Sequence, residues 1–206
     1  MIQDTSWEGY VDIPIDIMAG YSTQMYETTK QLKNEKVDLV FLQSGVGSWA
    51  SSVILFMKKE WPKIQICLSV EPHSANCLYE SIENGKRLSI TNNNLKTSMA
   101  GLDCGSVSSI SWNILKSGLD GSISISDYLS EQAMILLGNP RNGDYSIISG
   151  ESGASGLGAL IGLMESEVYS SYQHEINLNE ELTILLFNTE GDTDEQNYKR
   201  ILKQSR

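Results

Sequence analysis

Three short apolar runs constrain this chain more strongly than any other feature of its sequence. The runs are VDLVFLQ at 37–43, IQICLSV at 64–70 and LTILLF at 182–187. A strand with one face in water alternates polar and apolar residues, whereas a strand covered on both faces is apolar along its length. The three runs therefore predict buried strands, and a weaker run, SISIS at 122–126, predicts a fourth.

Segments with helical periodicity lie between these runs, and a further short helix is expected in the polar residues 194–206. The periodic segments are 16–35, 49–60, 74–84, 111–118, 127–138 and 153–165. Strands that alternate with helices are typical of an open parallel sheet between two helical layers, the three-layer αβα arrangement. No repeat and no long linker interrupts the 206 residues, so the sequence predicts a single α/β unit over 1–206.

Composition argues against several classes of protein. The net charge of −11 and a pI near 4.6 make nucleic acid an unfavourable partner. The longest apolar runs are far shorter than the ~20 residues of a membrane span, so we expect a soluble, cytoplasmic protein with no membrane partner. The three cysteines lack the spacing of a zinc site, although Cys77 and Cys104 could still meet and pair.

The loop FLQSGVGSWASS, at 41–52, follows the first predicted strand and leads into a helix. Glycines at 45 and 47 permit a tight turn and a close approach of the backbone, and the N-terminus of the next helix presents free N–H groups to an anion. The pattern predicts a phosphate site. A glycine turn that only joins strand to helix is the alternative that the loop alone leaves open.

The stretch GVGSWA, at 45–50, also satisfies the G-x-G-x-x-A form of the dinucleotide fingerprint. Glu71 ends the next predicted strand, near the position of the acid that binds a ribose hydroxyl in such folds. A dinucleotide-binding oxidoreductase domain is therefore an alternative function. A lone fingerprint is a weak signal, so other segments must decide between the two.

Three further segments are rich in groups that suit a ligand site. SGESGASGLGAL, at 149–160, places small residues around an acidic residue at a helix start, which lets the backbone approach a flat ligand. FNTEGDTD, at 187–194, ends a strand in polar groups, and QDTSWEGY, at 3–10, crowds acidic and aromatic side chains together. A packed helix start, an ordinary turn and a capped loop are the structural alternatives.

Taken in order, six motifs resemble the C-terminal half of the diaminopropionate ammonia-lyase family. The motifs are QDTSWEGY, LQSGVGSWASS, VEPHSANCLYES, TSMAGLDCG, ISGESGASGLG and NTEGDTD. That family belongs to the fold type II enzymes, which use pyridoxal 5′-phosphate, and the resemblance covers about residues 2–200. It implies α,β-elimination of 2,3-diaminopropionate, a small amino acid, to pyruvate and ammonia, with serine as a reasonable side substrate.

The resemblance also assigns the opening glycine loop, 43–52, to the phosphate of the cofactor. The residues that it places around the phosphate are Ser44, Gly45, Val46, Gly47 and Ser48. Asp4 matches the carboxylate of the family's QDT motif, which is implicated in proton transfer at Cα. The resemblance therefore predicts one catalytic residue near the start of the chain.

Two other segments match cofactor-facing parts of the family. Asn188 or Thr189 stands where related enzymes place a polar side chain against the pyridine nitrogen, although serine is more usual in the family at 188. Glu151 and Ser152 resemble a second segment that faces the cofactor. No metal is implied.

The lysine that binds the cofactor covalently lies, in the family, in an N-terminal half that precedes the QDT motif. The lysines here fall in polar surface patterns, and Lys96 does not match that position. We therefore expect this chain to be a C-terminal fragment or subunit that lacks the Schiff-base lysine and is inactive alone. A possible N-terminal half chain and a homodimer are the expected partners, and a non-catalytic or decayed fragment is an alternative.

Overall fold

A computed structural model describes residues 2–33, 35–61, 66–90, 96–141 and 143–205 of the chain. Within these residues, four parallel strands form one sheet in the order β3-β2-β1-β4. The strands are β1 (Leu39–Gln43), β2 (Ile66–Pro72), β3 (Gly121–Ile125) and β4 (Ile184–Leu185). The sheet agrees with the predicted fold class.

Eight α-helices accompany the sheet in the described part of the chain. They are α1 (Asp12–Leu32), α2 (Ser48–Glu60), α3 (Cys77–Glu83), α4 (Ser109–Gly118), α5 (Asp127–Gly138), α6 (Glu151–Glu165), α7 (Ser170–Glu175) and α8 (Glu195–Leu202). Short 3₁₀ turns occur at His73–Ala75, Ala100–Leu102, Glu167–Tyr169 and Lys203–Ser205. None of these described helices combines the length and the apolar character needed to cross a membrane.

The predicted elements are present, with three differences in extent. β4 covers two residues of the predicted six, and positions 64–65 of the predicted second strand lie outside the described residues. The segment 74–84 divides into a 3₁₀ turn and α3. α1 begins four residues earlier than its periodicity indicated, because Pro14 is tolerated in the first turn, where its missing N–H has no intrahelical partner.

The central strand β1 is buried along its whole length because helices cover both faces of the sheet. Val40 and Leu42 point into one core, which α2 and α4 also line. Leu39 and Phe41 point to the opposite side, into a core shared with α6. The continuous apolar run therefore reports a strand with two buried faces, as the sequence predicted.

The connections between the strands create a switch point in the sheet. β1 leads through α2 to β2 on one side, whereas the chain returns from β3 through α5 and α6 to β4 on the other side of β1. Strands at such a point send their following loops to opposite faces, which opens a crevice at their carboxyl ends. The loops after β1 and β4 border this crevice.

Candidate functional site

A cavity of about 530 Å³ lies at the carboxyl ends of β1 and β4. Its wall combines the loop after β1 with residues 4–5, 101–104, 152 and 189–190, which are distant from one another in sequence. The volume is within the usual range for a small-molecule site. The fold therefore brings residues of several sequence motifs to the same opening.

The N-terminus of α2 forms the floor of an anion site in this cavity. Gly47, the N-cap residue, adopts φ 87° and makes no side-chain cap hydrogen bond. The first helical residues, Ser48, Trp49 and Ala50, line the cavity. Since the first N–H groups of a helix have no intrahelical acceptors and carry the positive end of the helix dipole, they favour an anion here.

Both glycines of the loop are required by close packing. A Cβ atom at Gly45 would lie 2.9 Å from Cys104 Sγ and 3.0 Å from the carbonyl oxygen of Gly101. A Cβ atom at Gly47 would lie 2.5 Å from Leu115 Cδ1. Only glycine lets the loop approach these neighbours while its backbone faces the cavity.

The flanking residues of the loop have different surroundings. Val46 lines the cavity, and its carbonyl accepts a hydrogen bond from the Ser108 N–H at 2.9 Å. Ser44, predicted to bind the phosphate, is fully buried and does not line the cavity, and its Oγ has no partner among the described residues. Gln43, which lines the cavity, was not among the predicted site residues.

Asp4 lines the same cavity as the glycine loop. Its backbone carbonyl accepts a hydrogen bond from Ser48 Oγ at 2.8 Å, and its carboxylate lies 3.5 Å from the hydroxyl of Tyr21. Burial, and then the negative charge of Asp4, raise the pKa of Tyr21. The segment is anchored further by Ser6, whose Oγ lies 2.6 Å from Ser108 Oγ.

The two residues at the start of α6 face different surroundings. Ser152 lines the cavity, and its Oγ accepts a hydrogen bond from the Gly101 N–H at 3.0 Å. Glu151 does not line the cavity, because its carboxylate accepts a hydrogen bond from Asn197 on α8. Burial, and then the negative charge of Glu190, raise the pKa of Glu151.

The structure distinguishes between the two residues predicted beside a pyridine nitrogen. Thr189 lines the cavity, and its Oγ1 accepts a hydrogen bond from Gln43 Nε2 at 2.7 Å. Asn188 does not line the cavity, since its amide donates to the carbonyl of Ile148 at 2.7 Å and accepts from Ser149 Oγ at 3.0 Å. Of the pair, the geometry favours Thr189.

Glu71 has a structural contact where the dinucleotide hypothesis needed a ribose-binding acid. Its fully buried carboxylate accepts hydrogen bonds from the N–H groups of Leu78 at 2.8 Å and Tyr79 at 2.7 Å, at the start of α3. Burial raises its pKa to about 8. A carboxylate enclosed in this way cannot reach a ribose, so the dinucleotide alternative is not supported.

The remaining polar groups near the cavity do not assemble a metal site in the described ranges. Cys67, Cys77 and Cys104 are all free thiols, and the first two are buried. Burial, and then the charge of Glu71, raise the pKa of Cys77, so this thiol is a poor ligand and nucleophile. Cys77 and Cys104 therefore do not form the disulfide that the sequence left open.

Comparison with known proteins identifies the family to which this site belongs. The sequence profile described as "Pyridoxal-phosphate dependent enzyme" matches residues 9–171. The chain belongs to the pyridoxal-phosphate-dependent enzyme family. Its cofactor, in the form that defines this family, is pyridoxal 5′-phosphate.

Individual relatives narrow the resemblance within the pyridoxal-phosphate-dependent enzymes. The chain is 40% identical over 213 residues to the diaminopropionate ammonia-lyase of Salmonella typhimurium, covering 100% of this chain and 52% of the relative. The crystal structure of the Escherichia coli diaminopropionate ammonia-lyase with an aminoacrylate–cofactor intermediate is 36% identical, with a TM-score of 0.88. The match covers 100% of this chain and 52% of that chain. This chain therefore spans about half the length of the relatives that it matches.

A more distant member of the pyridoxal-phosphate-dependent enzymes supports the fold alone. The crystal structure of a threonine deaminase of bacterial source T.th. is 23% identical, with a TM-score of 0.68, over 86% of this chain and 59% of that chain. Together with the ammonia-lyase structure, it confirms the predicted fold type II architecture.

The residues of the cavity fit pyridoxal phosphate. The uncapped start of α2 suits its phosphate, while the buried Ser44 Oγ and Gln43 Oε1 lack hydrogen-bond partners among the described residues. Buried polar atoms without partners are costly and are usually explained by a ligand, an ordered water or a functional role. Thr189 offers a hydroxyl to a ring atom.

Proposed function

We propose that this chain supplies the phosphate-binding part of an ammonia-lyase that eliminates ammonia from 2,3-diaminopropionate. The overall reaction consumes one water and gives pyruvate and two ammonia molecules. The observation that carries the proposal is the uncapped N-terminus of α2, preceded by Gly45 and Gly47, at the cavity between β1 and β4. When bound there, pyridoxal phosphate supplies the electron sink that acidifies the substrate Cα.

The loop residues bind and orient the cofactor phosphate in this proposal. The backbone N–H groups from Gly45 to Ala50 donate to its oxygens, and the dipole of α2 favours its negative charge. The side chain of Ser48 is turned to the Asp4 carbonyl, so its contribution to the phosphate is its backbone N–H. Ser44 supports the loop from behind, because its side chain is enclosed there.

The other cavity residues have separate proposed roles. Asp4 holds or moves a proton at the substrate Cα, because its carboxylate borders the cavity. Thr189 contacts the pyridine nitrogen and Ser152 borders the ring. Glu151 remains a prediction, and its bond to Asn197 limits it to an indirect effect through the start of α6.

The chain requires a companion segment to complete the active site. The sixteen residues that line the cavity include no lysine, and Lys96 is exposed elsewhere. A lysine for covalent attachment of the cofactor must therefore come from the part of the relatives that this chain does not span. We expect the 206-residue chain alone to bind the cofactor without forming the covalent link, and to be inactive.

Exposed apolar groups near Asp4 fit contact with such a companion. Trp7 is 46% exposed and stacks on Tyr10 at 4.2 Å, and Ile15 and Tyr26 on α1 are 49% and 58% exposed. Burying them would remove apolar area from water beside the cavity. Assembly as a homodimer also remains a prediction, and sedimentation with and without the companion half would distinguish the two contacts.

The phosphate contact predicts that the chain discriminates between two vitamin B6 compounds. Pyridoxal phosphate should quench the fluorescence of Trp49, which lines the cavity, and should bind about tenfold or more tightly than pyridoxal. The expected difference is the loss of one or more charge-assisted hydrogen bonds at about 1.5–3 kcal/mol each. Borohydride treatment at stoichiometric cofactor should leave the mass of the chain unchanged.

A matched variant and a clear contrary result accompany this measurement. Trp49→Phe should remove the quenching while leaving binding measured by equilibrium dialysis intact. Equal affinity for pyridoxal and pyridoxal phosphate would contradict the phosphate site. A reduced adduct on one lysine of the chain would contradict the proposed need for a companion.

A further inference from the structure

Gln43 bridges the strands that diverge at the switch point. Backbone pairing of β1 with β4 joins only Leu39 with Ile184 and Val40 with Leu185. Further along β1, at its last residue, the side chain of Gln43 is only 4% exposed, and its Nε2 donates to the carbonyl of Phe187 at 2.9 Å. The amide thus ties the two strands together where their backbones no longer pair.

The orientation of the Gln43 amide is set by chemistry. The carbonyl of Phe187 can only accept, so the NH₂ group, and not the amide oxygen, must face it. The same NH₂ group donates its second hydrogen to Thr189 Oγ1 at 2.7 Å. This orientation leaves Gln43 Oε1 buried without a partner among the described residues, a cost that the opposite flip would not remove.

The bond from Gln43 determines what the Thr189 hydroxyl can do. Since Thr189 Oγ1 accepts from an amide that cannot accept in return, its own proton is left to be donated elsewhere. No acceptor for that proton is present in the described ranges, and Thr189 lines the cavity. The hydroxyl is therefore prepared to donate to an acceptor in the cavity.

We infer that Gln43 is a positioning residue, which orients Thr189 as a hydrogen-bond donor to an unprotonated pyridine nitrogen. The inference rests on the proposed function and adds a residue that no sequence motif indicated. An sp² ring nitrogen without a proton offers one lone pair and can only accept. A hydroxyl committed as a donor matches that state and gives nothing to a CH group in the same place.

The test compares pyridoxal phosphate with the analogue in which CH replaces the ring nitrogen. The wild-type chain should bind the cofactor about tenfold more tightly than this analogue, the usual effect of one net hydrogen bond. Thr189→Val should bring the ratio close to one, and Thr189→Ser should restore it. Gln43→Met, which keeps the side-chain length but removes both donors, should lower the ratio to about two or three.

A double variant separates positioning from general damage to the fold. If Gln43 acts through the Thr189 hydroxyl, then Gln43→Met combined with Thr189→Val should give the same ratio as Thr189→Val alone. A Gln43→Met chain that binds both compounds more weakly by the same factor would show a structural role only, and would overturn the inference. Thermal unfolding of each variant confirms that the ratio refers to folded protein.

The outcomes for the wild-type chain distinguish the inference from the proposed function. Binding of both compounds with equal affinity would overturn the role of Gln43 and Thr189 while leaving the phosphate site in place. Binding of neither compound would overturn the proposed function itself, and this inference with it. A ratio near the expected value that Gln43→Met leaves unchanged would overturn the role of Gln43 and assign the contact to Thr189 alone.

Discussion

Replacement of Gly47 by alanine is expected to lower the free energy of unfolding by about 2–4 kcal/mol and to abolish binding of pyridoxal phosphate. Gly47 has φ 87°, a conformation that costs a residue with a side chain about 1–2 kcal/mol. Its new Cβ would also lie 2.5 Å from Leu115 Cδ1, and Leu115 is fully buried. Overpacking of this kind adds about 1–3 kcal/mol.

Two other glycines divide this effect into its parts. Gly85 has φ 65° and no atom within 4 Å of an added Cβ, so Gly85→Ala should cost only about 1 kcal/mol and leave cofactor binding unchanged. Gly45→Ala adds crowding against Cys104 without the positive φ. Urea unfolding and cofactor titration measure both quantities. If Gly47→Ala were no more harmful than Gly85→Ala, the close approach of the loop to α4 would be wrong.

The stability of the chain is expected to fall as pH rises from about 5 to 8 through the ionisation of Glu71. Burial raises the pKa of this carboxyl from its ordinary value of 4.5 to about 8. A group whose pKa is raised by folding contributes its full stability below the ordinary value and loses it as pH rises through the folded value. The expected slope within that window is about 1.4 kcal/mol per pH unit.

Comparison with Glu71→Gln isolates this contribution from all other titrating groups. The variant has no charge at 71, so the difference in unfolding free energy between wild type and variant should decline steadily across the same pH window. The amide keeps one acceptor for the N–H groups of Leu78 and Tyr79, and its weaker capping of α3 adds an offset that does not vary with pH. Parallel stability curves would contradict the raised pKa.

The strands of the core were predictable because their signal is local. Buried strands must be apolar on both faces, so 37–43 identified β1 to within two residues. β4 was overestimated because Leu186 and Phe187 continue the apolar run after the chain has left the ladder with β1. α7 gave no prediction, since its six residues are too few to show helical periodicity.

The site was predictable only in part. The glycine loop and the start of α2 follow from residues adjacent in sequence, and their anion site was predicted from GVGSWA. The roles of Asp4, Ser152 and the pair at 188–189 came from resemblance to a family, because their positions in the chain say nothing of the space between them. Gln43 had no signal, since a polar residue at the end of a strand reads as an ordinary boundary.

The sequence by itself determined the layers of the fold and the place of the glycine loop, because both depend on periodicity and on short-range backbone freedom. Tertiary structure decided which side chains share the cavity. It turned Thr189 inward and Asn188 toward Ile148, enclosed Glu71 at the start of α3, and directed Glu151 to Asn197. These choices depend on hydrogen bonds between residues remote in sequence, which form only when the strands and helices have packed together.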